Sequence, residues 1–151
     1  MFSWFGKVNF TPHTKVGRFA DYLKDGRLMG SKCLRCGHTD FPPRADCPEC
    51  LSGEFEYTEW SGRGKLMTYT RIDAAPTGFQ DMGPYLIGLV ELEEGGRLVA
   101  WFGESIPEAE IEIDMQLQVV PRVFGEIEEI KVYYTLEKPG TTWNKAPAQT
   151  T

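Results

Sequence analysis

All four cysteines of the chain fall within eighteen positions, in "CLRCGHTDFPPRADCPEC", as Cys33-x2-Cys36 and, ten residues on, Cys47-x2-Cys50. Thiolates are soft ligands, and two residues between thiols allow a tight knuckle that turns both sulfurs toward one ion. Gly37, directly after the first pair, lets the chain reverse there. Two knuckles supply a tetrahedral set of four sulfurs, bridged by the hairpin "TDFPPRAD", which Pro42 and Pro43 stiffen. Zinc fits such a set and iron of the rubredoxin kind fits it equally well, so spacing leaves both metals open. Four protein thiolates leave no position for water or substrate. The site is therefore expected to be structural, a staple for a segment too small to build its own core. His38 lies between the knuckles, but the ligand set is already complete, which makes it a loop residue. Asp40, Arg44, Asp46 and Glu49 are expected to be solvated around the site, with Arg44 placed to offset thiolate charge.

The elements that position these thiols differ on the two sides. Upstream, "VGRFADYLKDGRLMG" puts Val16, Phe19, Ala20, Leu23 and, less regularly, Leu28 on one helical face, with Gly26 as a helix stop. That face admits two readings: packing on its own domain, or docking on another protein together with Phe2, Trp4, Phe5 and Phe10. Downstream the pattern turns to short runs of β-branched and aromatic residues over 64–73, 84–93, 97–103, 115–123 and 128–136, separated by Gly, Pro and acidic turns. Gly95-Gly96 marks a hairpin between the second and third of them. Five such strands in sequence predict a small barrel of the OB kind. The expected fold is mainly β: an N-terminal segment and helix (1–30), a rubredoxin-like zinc ribbon (31–60), a five-stranded OB-fold barrel (61–138) and a C-terminal tail (139–151). Between the first two barrel strands, "AAPTGFQDMGP" (74–84) is a long loop with two prolines and two glycines, either a binding loop or an ordinary hairpin connection.

A chain of 151 residues, 41% hydrophobic and 25% charged, can bury a core. Its net charge of −6 is uneven: residues 1–60 carry eight Lys/Arg against eight Asp/Glu, residues 61–151 eight against fourteen. An acidic barrel repels a phosphate backbone, so no nucleic-acid partner is expected. No run of about 18 apolar residues offers a membrane span. The opening "MFSWFGKVNF" lacks the long apolar region and cleavage site of a signal peptide. A cytoplasmic location follows, where clustered cysteines bind metal rather than form disulfides.

Catalytic machinery is not apparent. His13 and His38 lie in the N-terminal segment and the cysteine hairpin, and no cysteine remains outside the cluster. No Gly-x-Ser-x-Gly, phosphate-binding loop or dinucleotide fingerprint occurs. Glu93-Glu94 and Glu128-Glu129 sit at turns or strand starts as solvated charge. No residue is nominated as catalytic.

Three stretches carry a resemblance: the two knuckles with "FPPR" between them (Phe41 to Arg44), the "SGRG" hinge (Ser61 to Gly64) and "PYLIGLVEL" (Pro84 to Leu92). Over residues 16–136 the chain resembles the zinc-ribbon plus OB-fold proteins associated with acyl-CoA enzymes, formerly called DUF35, of the thiolase-accessory type. The resemblance implies a non-catalytic subunit, not active alone, that assembles with a thiolase-fold enzyme subunit and shares its coenzyme A thioester. It implies Cys33, Cys36, Cys47 and Cys50 as metal ligands, and Pro76, Gly78 and Phe79 as a loop facing the partner and the pantetheine arm. The phosphates of coenzyme A would need cations, and Arg63, Lys65 and Arg71 are the candidates, each equally well read as charge balancing an acidic barrel. One departure stands out: Cys50 is followed by Leu51 where many members have glycine, which predicts a looser second knuckle. Two competing functions are an iron-bearing electron carrier, suggested by the knuckles, and a nucleic-acid-binding ribbon with an OB-fold, suggested by architecture alone. Metal analysis separates the first of these from a zinc protein.

Overall fold

The computed structural model describes residues 14–74, 84–124 and 131–142. Pro76, Gly78 and Phe79 lie outside the described residues, as do Phe2, Trp4, Phe5 and Phe10. Among the described residues the fold is mainly β, with one short α-helix, a small ribbon sheet and a five-stranded closed barrel.

The first part begins with helix α1 (Arg18–Lys24), where Phe19, Ala20 and Leu23 are buried. The helix stops as expected at Gly26, whose φ of 77° only glycine adopts cheaply. Strand β1 (Met29–Cys33) is the centre of a three-stranded antiparallel sheet, with β2 (Thr39–Asp40) on one side and β3 (Phe55–Glu59) on the other. An aromatic row ties helix to sheet: Phe19 meets Phe41 edge-on at 5.8 Å and Phe41 meets Trp60 at 5.6 Å. The helix thus spends its apolar face on its own ribbon, the first of the two readings. Close packing explains Gly30: a Cβ there would overlap the Trp60 indole nitrogen and the Asp40 carbonyl.

The barrel is built from β4 (Arg63–Ile72), β5 (Tyr85–Leu92), β6 (Arg97–Phe102), β7 (Gln116–Phe124) and β8 (Lys131–Glu137), closed in the order β4-β5-β6-β8-β7. The long strand β4 pairs antiparallel with β5 along its length and with β7 through Arg63–Lys65 only, while β6 runs parallel to β8. One long strand shared by two neighbours, closed by a parallel pair, is OB topology. A β-bulge between Leu66 and Thr68 bends β4 so that it can serve both. Inward residues Leu66, Val90, Leu98, Leu117, Val119 and Leu136 are almost fully buried.

Candidate metal centre

Each knuckle is a short turn locked by backbone hydrogen bonds. In the first, the Cys33 N–H donates to the His38 carbonyl at 2.8 Å and the Gly37 N–H to the Cys33 carbonyl at 2.9 Å. The second repeats the pattern: Cys47 N–H to Ser52 and Leu51 N–H to Cys47, both at 2.9 Å. The looser turn expected after Cys50 is therefore not found. Leu51 takes the glycine-like conformation itself, at φ 58°, and holds its hydrogen bond at the same length as Gly37. A side chain in that region costs about 1 kcal/mol, and this leucine recovers none of it by packing, being 82% exposed. Leu51→Gly is accordingly expected to raise the stability of the metal-loaded protein by about 1 kcal/mol, measured by thermal melting at full metal occupancy.

The four thiols converge. All four sulfurs lie within 4.8 Å of one another, with Cys33 Sγ to Cys50 Sγ at 3.6 Å and Cys36 Sγ to Cys47 Sγ at 3.5 Å. Four sulfurs set tetrahedrally at a zinc–sulfur distance of about 2.3 Å stand about 3.8 Å apart, so the donor set matches one metal in size and kind. The thiols are not equivalent. Hydrogen bonds from the Cys36 N–H, and less strongly from Arg35, hold the Cys33 thiol down to about 6 against desolvation. At Cys36 the His38 N–H pulls the same way, but desolvation and the sulfurs of Cys47, Cys50 and Cys33 outweigh it and push the thiol up to about 12. Cys33 therefore reaches its thiolate, the metal-binding form, more readily than Cys36 does.

Asp40 is a hub beside the cluster rather than a solvated charge. Its side chain is only 16% exposed, and it receives His38 at 3.4 Å and Arg44 at 3.3 Å. Arg44 is thus committed to Asp40, and its backbone N–H donates to Ser31 Oγ at 3.0 Å, fastening the hairpin to the sheet. No local sequence pattern signals that pair, because a spacing of four brings side chains together on a helix and the Phe41-Pro42-Pro43 between them is not helical.

The three barrel cations are not brought together. Arg63 pairs with Glu93 at 2.8 Å and Lys65 with Asp114 at 3.0 Å near the start of β4. Arg71 pairs with Asp73 and Glu108, each at 2.8 Å, about 20 Å further along the strand at 3.3 Å per residue. Donating hydrogen bonds to these carboxylates holds both guanidinium groups still more firmly protonated, Arg63 through Glu93 and Arg71 chiefly through Asp73.

Four thiols on a ribbon followed by an OB barrel define a zinc-ribbon/OB-fold protein, and comparison with known proteins names the family. Residues 20–56 match the ChsH2 rubredoxin-like zinc ribbon domain, and residues 57–122 the ChsH2 C-terminal OB-fold domain. A DUF35 domain-containing scaffold protein of Methanothermobacter thermautotrophicus is 41% identical over 100 residues, spanning 66% of this chain and 74% of that protein. The chain belongs to this DUF35 family. It is also similar to the benzoylsuccinyl-CoA thiolase subunit BbsA of Thauera aromatica, 38% identical over 79 residues, 50% of this chain and 54% of that subunit. A solved structure of an Ltp2-ChsH2(DUF35) aldolase superposes with a TM-score of 0.63 at 29% identity, covering 79% of this chain and 90% of its counterpart. No helix among the described residues is long and apolar enough to cross a membrane.

Proposed function

We propose that this chain is the non-catalytic scaffold subunit of a thiolase-type acyl-CoA enzyme, with Cys33, Cys36, Cys47 and Cys50 holding zinc. The observation that carries the reading is the closed four-thiol cluster in a chain of the DUF35 scaffold family, together with its similarity to a thiolase subunit and to an aldolase's DUF35 chain. Zinc held by four protein sulfurs contributes folding energy rather than a reactive position. In this proposal the partner supplies the reacting groups. The loop with Pro76, Gly78 and Phe79 faces the partner and the pantetheine arm. Arg63 with Lys65 at one end of β4, and Arg71 at the other, are separate candidate phosphate contacts. A phosphate held there has to displace Glu93, Asp114, Asp73 or Glu108 from its cation.

Two measurements test this. The purified chain is expected to be colourless with one zinc per chain; bound iron with thiolate charge-transfer absorption would favour the electron carrier instead. Alone it is expected to show no thiolytic, hydrolytic or acyl-transfer turnover of acyl-CoA, and turnover is expected on co-purification with a thiolase-fold subunit from its own genome. Robust turnover by the small chain alone would overturn the scaffold reading.

A further inference from the structure

The outer face of a small barrel is normally polar, and here half of it is not. Strand register places Lys65, Glu91 and Arg97 side by side across β4, β5 and β6, an outward row of charge. The next outward rows along the same strands are Thr68–Leu89–Val99, Thr70–Ile87–Trp101 and Ile72–Tyr85. The bulge after Leu66 supplies the extra residue that keeps Thr68 on the same side as Lys65. Inward neighbours Gly88, Val90, Leu98 and Ala100 are buried, so the outward assignment follows from the pleat. Val99 is 56% exposed, Tyr85, Ile87 and Leu89 are half-buried, and Tyr85 packs edge-on against Trp101 at 6.2 Å. Six apolar side chains thus form one contiguous patch bordered by ion pairs, among them Arg97 with Glu91 at 3.5 Å.

From this we infer that the outer face of β4–β5–β6 is the apolar centre of the surface that docks the thiolase-fold subunit, a partner presenting an apolar patch with a Lys/Arg-rich rim. The inference rests on the scaffold reading above. Charge selects this occupant over a second copy: residues 62–120 and 134–144 carry five Lys/Arg against eleven Asp/Glu. Packing this face against itself would bring together two barrels that each carry this net negative charge, whereas a basic partner neutralises one. Size argues the same way. Three strands spaced about 4.8 Å apart carry a patch of only a few hundred square ångströms, below the roughly 800 Å² per partner of a stable interface. It suits the core of a wider contact with a larger subunit and is too small to hold a homodimer by itself.

The test uses the full chain and the thiolase-fold subunit from its own genome, with affinity read by calorimetry and oligomeric state by sedimentation. Leu89→Lys with Val99→Glu places an opposite-charge pair at facing positions of β5 and β6, and Val99→Lys alone alters a side chain already in solvent. Both variants are expected to keep wild-type metal content and circular dichroism. The double variant is expected to bind the subunit at least about 30-fold more weakly, the size of an interface anchor, and the single variant several-fold more weakly. Wild-type binding is also expected to weaken as salt rises. If the wild type binds and both variants bind equally well, docking uses another face and the inference fails while the scaffold reading stands. If no thiolase-fold subunit binds the wild type, the scaffold reading fails and the inference with it. A wild-type dimer that Val99→Lys dissociates would make the occupant a second copy and overturn the choice of partner.

Discussion

Replacing Cys33 and Cys47 together by serine is expected to release the metal and melt the ribbon. Two of four ligands are lost, one from each knuckle, and a hydroxyl does not take their place at neutral pH because it holds its proton far more tightly than a thiol. The binding free energy of a structural zinc site is folding free energy, on the order of 10 kcal/mol in isolated fingers. Among the described residues the sheet has little else to hold it: β2 is two residues long, and the aromatic row against it is Phe19, Phe41 and Trp60. Measurement is direct, by metal analysis and by hydrogen exchange of the Met29–Cys33 amides, which are expected to lose protection. A double variant that keeps its metal and its protection would refute the structural role. The metal-loaded wild type carries a pH signature as well: the four cysteines bind the ion as thiolates, so acidification that protonates them is expected to release the metal and melt the ribbon together.

The cluster was legible in the sequence because its signal is local: spacing within each knuckle dictates which way two sulfurs point, and the gap between knuckles is short. The barrel was legible because each strand announces itself by composition and each turn by Gly, Pro or acidic residues. The second knuckle was misjudged for a physical reason. A leucine in the left-handed region is disfavoured by about 1 kcal/mol, yet a metal site with roughly ten times that energy over-determines the turn, and Leu51 follows. Asp40 was misjudged because solvation depends on what packs around a side chain, here His38 and Arg44. The apolar outer face did leave a trace. In "PYLIGLVEL" the residues from Tyr85 to Val90 do not alternate between apolar and polar, and a strand apolar on both faces is one covered on both faces. Which neighbours extend that face across three strands depends on register and on the bulge in β4, and neither is written in any one segment.

The end of β8 hides a carboxylate that no local pattern announces. Glu137 is 2% exposed, and its carboxylate accepts hydrogen bonds from the Ser105 N–H at 3.1 Å, from the Ser105 hydroxyl, and from the Thr135 hydroxyl at 2.7 Å. Ser105 Oγ in turn accepts the Lys138 N–H at 2.9 Å, so the Glu137 and Ser105 side chains together fasten the connection after β6 to the end of β8. The Gly103 N–H, donating to the Leu136 carbonyl at 2.9 Å, brings the backbone so near that a Cβ on residue 103 would overlap the Glu137 carboxylate. Glu137→Ala leaves these donors without their acceptor, at about 1–3 kcal/mol for a buried group and more where the partner is charged, and is expected to cost about 3 kcal/mol of stability. Gly103→Ala is expected to cost a similar amount, because the only relief is to push the carboxylate out of the same hydrogen bonds. Once Glu137 has become alanine the added methyl meets a cavity instead of a carboxylate. The double variant is therefore expected to be destabilised by clearly less than the sum of the two, with a coupling of about 2 kcal/mol, whereas distant and independent sites add to within about 0.5 kcal/mol. Urea unfolding of the four proteins at constant metal occupancy reads this coupling, and strictly additive losses would mean that Gly103 is required for some reason other than making room for Glu137.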